Sequence, residues 1–298
     1  MLMSAFVPSW RMPALLSVVG DITITAIVEA ETRGIPPVFF FPTADANTIT
    51  RHDWLVPDFA DEAGNIAMRV QAFVVRTPTR TIIVDPCVGN GKTRSLPFWN
   101  QLATDWLEQL IAAGVQPDTV DLVVHTHLHE DHLGWDTTLV NGEWQPTFPN
   151  ARYLYNADEL EFVQQRSTDA EPIYADSVAP IVAAGLADVV AADADLGEGL
   201  RLAPSPGHTP GHTSLWITSG EQTALITGDF MHHPVQFAEL DLAEVGDVDI
   251  EAARASRRRM IAEAVSRDAL IVGTHFPSKP AGHAVADGDA WRFVPVEE

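Results

Sequence analysis

Three histidines and an aspartate, His127, His129, Asp131 and His132, fall within six residues of the run HTHLHEDH, directly after the apolar stretch DLVV. Imidazole and carboxylate groups packed this closely crowd one another, and a divalent cation relieves the crowding. Neutral imidazole and carboxylate are ligands that zinc, manganese, iron and cobalt accept. One tetrahedral ion cannot use all four side chains of so short a loop together with distant ligands, because the side chains leave the backbone in diverging directions. Two ions can. On a loop leaving a strand, His127 and His129 point to one side, whereas Asp131 and His132 lie on the turn beyond and reach a second position.

Further groups of the same chemical type stand later in the chain: His208 in SPGHTPGHTS, Asp229 in TGDF and His275 in GTHFP. Each of these motifs adjoins an apolar run. TALITGDFMHH (223–233) and ALIVGTHFP (269–277) each read as a strand that stops at a polar residue, and RLAPSPGHTPGHTSLWIT (201–218) reads as strand, polar loop and strand. Earlier, DITITAIVEA (21–30) alternates as a half-buried strand does, and residues 68–77 and 80–86 form a hairpin across the turn at Thr77, Pro78 and Thr79. The spacing predicts helices over 97–113, closed by Gly114, and over 249–266. Strands and helices thus alternate, and the histidines and aspartates fall just after strand ends, where a rigid scaffold presents ligands. No repeat or linker marks a boundary, so residues 1–298 read as one domain with an apolar, proline-rich N-terminal arm at about 30–66. That arm suits either a cap over the cleft or a homodimer contact, and both readings stay open.

With 46% apolar residues the chain can bury a full core. Its 41 acidic residues against 18 basic ones leave a formal charge of −23, which repels polyanions and argues against nucleic acid as a partner. The basic run RASRRRM (254–260) reads as a solvated helix face. The lone Cys87 cannot build a thiolate cluster or an internal disulfide, so a metal here must use imidazole and carboxylate; a single free thiol also fits a reducing cytoplasm. Near the N-terminus, a single Arg11 and a short apolar run at 13–19 do not read as a signal peptide, and no stretch is long and apolar enough to span a membrane.

The series THLHEDH, SPGHTPGHTS, TGDF and GTHFP, with Asp229 21 positions after His208 and His275 46 after Asp229, resembles the motif series of the metallo-β-lactamase superfamily. The resemblance covers residues 68–278. It implies an α+β fold, an αββα sandwich of two mixed β-sheets flanked by helices, with the active site on one edge. It also implies that His127, His129 and His208 hold one ion, that Asp131, His132 and His275 hold a second, and that Asp229 bridges both. The ions would be zinc first, with manganese, iron or cobalt compatible. Asp85, ending the strand IIVDP, matches the family's first motif and would orient a ligand or the cluster loop; His212 would brace the loop that carries His208.

Paired cations in such a site bring the pKa of a shared water toward neutrality and polarise a carbonyl or phosphoryl oxygen. Asp131 is placed to take the proton of the nucleophile and pass it to the leaving group. Within the superfamily, the SPGHTPGHTSL segment looks most like the N-acyl-homoserine lactone lactonases and the methyl parathion hydrolases. The lactonases carry a tyrosine three positions after the bridging aspartate; here the residue is His232, a candidate hydrogen-bond donor to a substrate oxygen. Trp135, Phe230 and Phe276 are candidates for an apolar substrate pocket. His233 and His125 are expected to serve packing, and His52 and His283, outside every motif, are expected at the surface. The leading expectation is hydrolysis of a small neutral lactone or carboxylic ester, ahead of a phosphotriester. A redox enzyme with iron in the same site is a third reading.

Overall fold

The computed structural model describes residues 14–296; the first thirteen, with Arg11 and the start of the segment weighed as a targeting signal, and the last two lie outside the described residues. In chain order come β1 (Ala14–Val19), β2 (Ile22–Ile35), α1 (Ala46–Thr50), β3 (Ile66–Arg76), β4 (Thr81–Val84), α2 (Trp106–Ala112) and β5 (Leu122–Val124). A small hairpin of β6 (Thr137–Val140) and β7 (Glu143–Pro146) follows, then β8 (Arg152–Asn156), α3 (Ala157–Arg166), α4 (Ala179–Ala183) and β9 (Ala187–Val190). The remaining elements are β10 (Asp195–Gly197), β11 (Leu200–Pro204), β12 (Thr213–Ser219), β13 (Gln222–Ile226), α5 (Val235–Ala238), α6 (Ile250–Ser266), β14 (Leu270–Val272), β15 (Ala281–Asp287) and β16 (Ala290–Pro295). No described helix is long and apolar enough to cross a membrane.

Two seven-stranded mixed sheets carry the architecture, in the orders β1-β2-β3-β4-β5-β8-β9 and β10-β11-β12-β13-β14-β15-β16. By contacts the chain forms two compact units, one built on Val70–Ala191, the other on Glu31–Arg69 with Ala192–Glu298. In the first, β4, β5, β8 and β9 run parallel, with Ile83 opposite Val123 and Val123 opposite Tyr153. Strands such as TIIV and LVV can sit there because both of their faces are covered, so an uninterrupted apolar run has nowhere polar to point. In the second unit, β13 and β14 are the parallel pair, joined through α6, while their neighbours are antiparallel. Parallel pairing brings the carboxyl ends of adjacent strands together, and every motif singled out above except SPGHTPGHTS leaves such an end.

The helix expected over 97–113 begins only at Trp106. Residues 90–104 are captured by tertiary hydrogen bonds instead: Gly91 N–H donates to Leu102 O (2.9 Å), Gln101 N–H to Lys92 O (2.8 Å) and Thr104 N–H to Asn90 Oδ1 (2.8 Å). Gln101 also takes a left-handed φ of 55°, which no helix interior tolerates. The helix expected over 249–266 is α6, where the Asp249 carboxylate caps the first turn by accepting from Ala252 N–H at 3.0 Å. The proline-rich arm is not a free appendage. It folds as short turns and α1, and Phe41, Ile49, Leu55 and Phe59 enter the hydrophobic core of their own unit beside Trp216, Phe237, Ile261, Ile271 and Phe293. Each of these side chains, fully withdrawn from water, stabilises the unit by about 1.5–3 kcal/mol. Val38 and Phe39 remain exposed.

Candidate metal centre

In the unit built on Val70–Ala191 the histidine cluster is organised by Asp85. This residue ends β4 with φ 52°, a left-handed conformation that costs a non-glycine residue about 1 kcal/mol or more. Its carboxylate accepts both the Thr126 N–H (2.8 Å) and the Thr126 hydroxyl (2.7 Å), a pairing available because β4 and β5 are parallel neighbours. With its proton committed to Asp85, Thr126 Oγ1 can only accept from His127 Nδ1, 3.1 Å away. That contact assigns the proton of His127 to Nδ1 and leaves the Nε2 lone pair for a ligand role. His132 Nδ1 lies 3.2 Å from Asp85 Oδ2, while its Nε2 lies 3.6 Å from Asp131 Oδ1. The His127 ring packs 4.6 Å from His129 and 4.1 Å from His132. His127 and His132 are fully buried; His129 is half-buried.

In the other unit the pivot is Asp229, just beyond β13. Asp229 Oδ2 lies 3.2 Å from His275 Nε2, 3.5 Å from His208 Nε2 and 3.1 Å from His232 Nε2. The opposite ring nitrogens decide what these distances mean. His275 Nδ1 is 2.7 Å from Arg69 O, and His208 Nδ1 is 3.1 Å from Asp247 Oδ1. Carbonyl and carboxylate oxygens only accept, and in both rings the Nδ1 contact is the shorter (2.7 against 3.2 Å for His275, 3.1 against 3.5 Å for His208), which assigns the proton of each neutral ring to Nδ1 and leaves both Nε2 lone pairs facing an oxygen that also carries lone pairs. A cation between them removes that repulsion, and imidazole with carboxylate is the donor set a divalent metal of the zinc type prefers. His208, Asp229 and His232 offer ligand atoms within 4.8 Å of one another. His232 differs: its buried Nδ1 has no hydrogen-bond partner among the described residues. A buried N–H left unpaired is costlier than an unpaired lone pair, so the neutral ring carries its proton on Nε2 and acts as a donor.

The chain matches the metallo-beta-lactamase superfamily over residues 66–275. It belongs to that superfamily. Its fold is accordingly the metallo-β-lactamase fold, α+β with two mixed sheets. Among curated relatives, the N-acyl homoserine lactonase of Bacillus thuringiensis is 28% identical over 160 residues, which are 53% of this chain and 56% of that protein. The chain therefore spans little more than half the length of the curated relatives it matches. Among solved structures, a hydrolase of the superfamily called AbOPH superposes with a TM-score of 0.80 at 24% identity, covering 97% of this chain and 99% of that one. AidC, a dizinc quorum-quenching lactonase bound to its product, superposes with a TM-score of 0.77 at 20% identity, covering 96% and 98%.

The histidines and aspartates of the motifs that carry the resemblance lie inside the matched segment, with neighbours that brace them. His212, in GHTPGH, accepts the Asp229 N–H on Nε2 at 2.7 Å and contacts Ser205 Oγ through Nδ1 at 2.8 Å. It holds the backbone of Asp229. The three aromatic candidates for a pocket lie elsewhere. Trp135 stacks on Trp106 at 5.2 Å and donates its indole N–H to Glu29 Oε1 at 2.7 Å, while Phe230 and Phe276 are enclosed in the hydrophobic core. Their faces are already covered by neighbouring side chains, so we assign all three to packing.

His233 donates from Nε2 to Phe59 O (3.0 Å) and accepts Val235 N–H on Nδ1 (3.1 Å); burial pushes its pKa down to about 4. His125 bridges Leu154 O and Asp136 Oδ1, and its pKa is raised: the Asp136 carboxylate outweighs burial, the larger single influence, which pulls the other way. His52 is not simply solvated, since its Nε2 sits 2.7 Å from Glu239 Oε1. Cys87 is buried and its thiol is pushed up by that burial and by nearby carboxylates, so it is unreactive.

Several residues that hold the centre in shape carry no local sequence signal. Glu29 is fully buried, with its pKa raised by desolvation, and it accepts Val88 N–H at 2.7 Å as well as Trp135. Glu159, from α3, accepts Leu128 N–H at 3.0 Å and so ties down the middle of the cluster loop. The basic run is not wholly a solvated face, because Arg257 is fully buried and donates to Phe230 O (3.0 Å), Leu240 O (2.9 Å) and Leu242 O (2.9 Å). Glu244 and Asp247 both approach His208 Nδ1, at 3.8 and 3.1 Å, and burial drives the Glu244 pKa up to about 7. Each of these contacts joins residues far apart in the chain.

Proposed function

We propose that this protein is a dinuclear metal-dependent hydrolase acting on a small neutral lactone or carboxylic ester. The observation that carries the reading is the pair of lone-pair-bearing nitrogens, His208 Nε2 and His275 Nε2, turned on Asp229 Oδ2 while their Nδ1 protons are spent on Asp247 and Arg69. By the superfamily's pattern, His127, His129 and His208 would hold one ion, Asp131, His132 and His275 the other, and Asp229 both. When bound, such a pair supplies a hydroxide nucleophile near neutral pH and stabilises charge on the attacked carbonyl oxygen.

The chain's own residues do the rest. Asp85 and Thr126 hold the tautomer of His127, and His212 holds the backbone of Asp229, so the donors need not reorganise on binding. Asp131 accepts the proton released by the nucleophile and delivers it to the departing oxygen. His232, whose Nε2 proton faces Asp229 Oδ2 at 3.1 Å in the free protein, turns that proton to the substrate oxygen on binding, in the position where lactonases of this type carry tyrosine. The net charge of −23 disfavours anionic substrates and leaves neutral ones unhindered. The histidine at position 232 also keeps a phosphotriester in view as the second reading, since a phosphoryl oxygen can take the same hydrogen bond.

The test is zinc titration followed by a panel of γ- and δ-lactones, aryl esters and phosphotriesters. Two zinc equivalents and preferential lactone or ester turnover are expected. Two equivalents without turnover of any of these classes would sink the assignment, and preference for phosphotriesters would install the alternative.

A further inference from the structure

Asp247 is absent from every motif that marks the superfamily in this sequence, yet its side chain is fully enclosed and its Oδ1 sits 3.1 Å from His208 Nδ1. The segment around it is built to keep that contact. Asp247 Oδ2 accepts Glu244 N–H (2.9 Å), Asp247 N–H donates to Glu244 O (3.1 Å), and Glu244 Oε2 accepts Gly246 N–H (2.5 Å), closing a tight turn against the imidazole. A Cβ on Gly246 would stand 2.8 Å from Glu244 Oε2 and 3.3 Å from His208 Cε1, so the turn rides directly on the ring. On one side, Val248 N–H and Asp249 N–H bond to His208 O and Gly207 O (3.2 and 2.8 Å). On the other, buried Arg257 in α6 ties Leu240 O and Leu242 O, and its Nη2 lies 4.0 Å from Asp247 Oδ2.

We propose that Asp247 is the positioning residue for His208, with Arg257 anchoring the segment that delivers it. The proposal rests on the metal-binding reading above. By accepting the Nδ1 proton, the Asp247 carboxylate keeps the Nε2 lone pair of His208 unprotonated and aimed at Asp229. Without an acceptor at Nδ1, the neutral ring is free to carry its proton on Nε2, which removes it as a ligand. A hydrogen-bonded carboxylate behind a ligating histidine also raises that histidine's basicity and fixes its orientation, and losing such a partner weakens metal affinity by roughly 10–100-fold. The arginine run that reads as a solvated helix face thus contributes one member, Arg257, to the frame of the site.

The experiment compares full-length wild type with Asp247→Ala, Asp247→Asn and Gly246→Ala. Zinc retained per chain is measured against rising EDTA, and the tautomer of His208 is read from imidazole 15N shifts in the metal-free protein, assigned by their loss in His208→Gln. Wild type should show the Nδ1–H tautomer; Asp247→Asn, which keeps one accepting oxygen for His208 but turns an NH2 toward Glu244 N–H and lacks the charge, should keep that tautomer and retain zinc less well than wild type but better than Asp247→Ala. Asp247→Ala should shift toward Nε2–H and release one of the two ions at roughly 10–100-fold lower chelator. Gly246→Ala, at an exposed position that leaves the core intact, should weaken retention in the same direction by pushing the turn off the ring, and it carries the test if Asp247→Ala does not fold. Unchanged retention and an unchanged tautomer in whichever of the two variants folds would overturn the role of Asp247. Wild type that takes up no zinc would instead defeat the metal reading itself, so the two failures are distinguishable.

Discussion

At the scale of single residues, the candidate centre depends on which ring nitrogen carries the proton. His127, His208 and His275 each place Nδ1 against an oxygen that can accept, whereas His232 has no hydrogen-bond partner at Nδ1 among the described residues and turns Nε2 toward Asp229. Two expectations follow from this contrast. Asp229→Ala should lose both ions together and His275→Ala chiefly one, as measured by metal content after gel filtration; equal retention by both variants would contradict a bridging aspartate. His232→Ala should keep both ions and lower kcat by about 100-fold, the usual scale for one missing donor to a developing oxyanion, with His232→Tyr recovering part of it. Loss of metal from His232→Ala would make this residue a ligand instead of a donor. The seven expected ligands could be named from the sequence because their motifs resemble the superfamily's series in order and spacing. Asp247, Glu29 and Glu159 could not, because any carboxylate arriving from anywhere in the chain can accept a hydrogen bond, and an isolated acidic residue looks like surface.

At the scale of elements, the parallel pairs β4–β5 and β13–β14 set what can meet. Their carboxyl ends lie side by side, so Asp85 reaches Thr126 and Thr227 N–H reaches Val272 O at 3.0 Å, next to the segments bearing Asp229 and His275. The strands were readable from their β-branched runs. The failure at 97–113 shows the limit of periodicity: the apolar spacing was real, but hydrogen bonds from Asn90, Gly91 and Lys92 captured the segment up to Thr104 before a helix could propagate through it. The cluster loop also returns past Val88 so closely that a Cβ on Gly134 would stand 1.6 Å from Val88 O. Gly134→Ala should therefore destabilise the protein by about 3 kcal/mol, read from urea unfolding. A loss below roughly 0.5 kcal/mol would mean that the loop relaxes freely.

At the scale of the whole molecule, two solution properties should follow. His233 is buried as a neutral group with its pKa pushed down to about 4, against an ordinary value of 6.5, because burial penalises its charged form. The unfolded chain takes up a proton below pH 6.5 that the folded chain refuses until about pH 4. Stability from this group is therefore full above pH 6.5 and falls progressively to about pH 4, by a total on the order of 3 kcal/mol. His233→Gln should flatten that part of the profile in denaturant titrations at pH 7, 6, 5 and 4; an unaltered slope would assign the acid sensitivity elsewhere. Metal should also stabilise the folded state. Free zinc at about 1,000 times its dissociation constant contributes about 4 kcal/mol, so EDTA should lower Tm by several degrees, and an unmoved Tm would mean that folding and metal binding are uncoupled.

From the sequence alone came the superfamily, the chemical type of every candidate ligand and the strands that present them, because these rest on residue identity, short spacing and apolar periodicity. Only the tertiary structure decided that Trp135, Phe230 and Phe276 are packing residues, that the proline-rich arm lies in a core, and that Asp247 and Arg257 stand behind His208. The physical reason is range. A motif is written within a few bonds of itself, whereas burial and the choice of hydrogen-bond acceptor belong to surfaces that exist only once distant segments have packed.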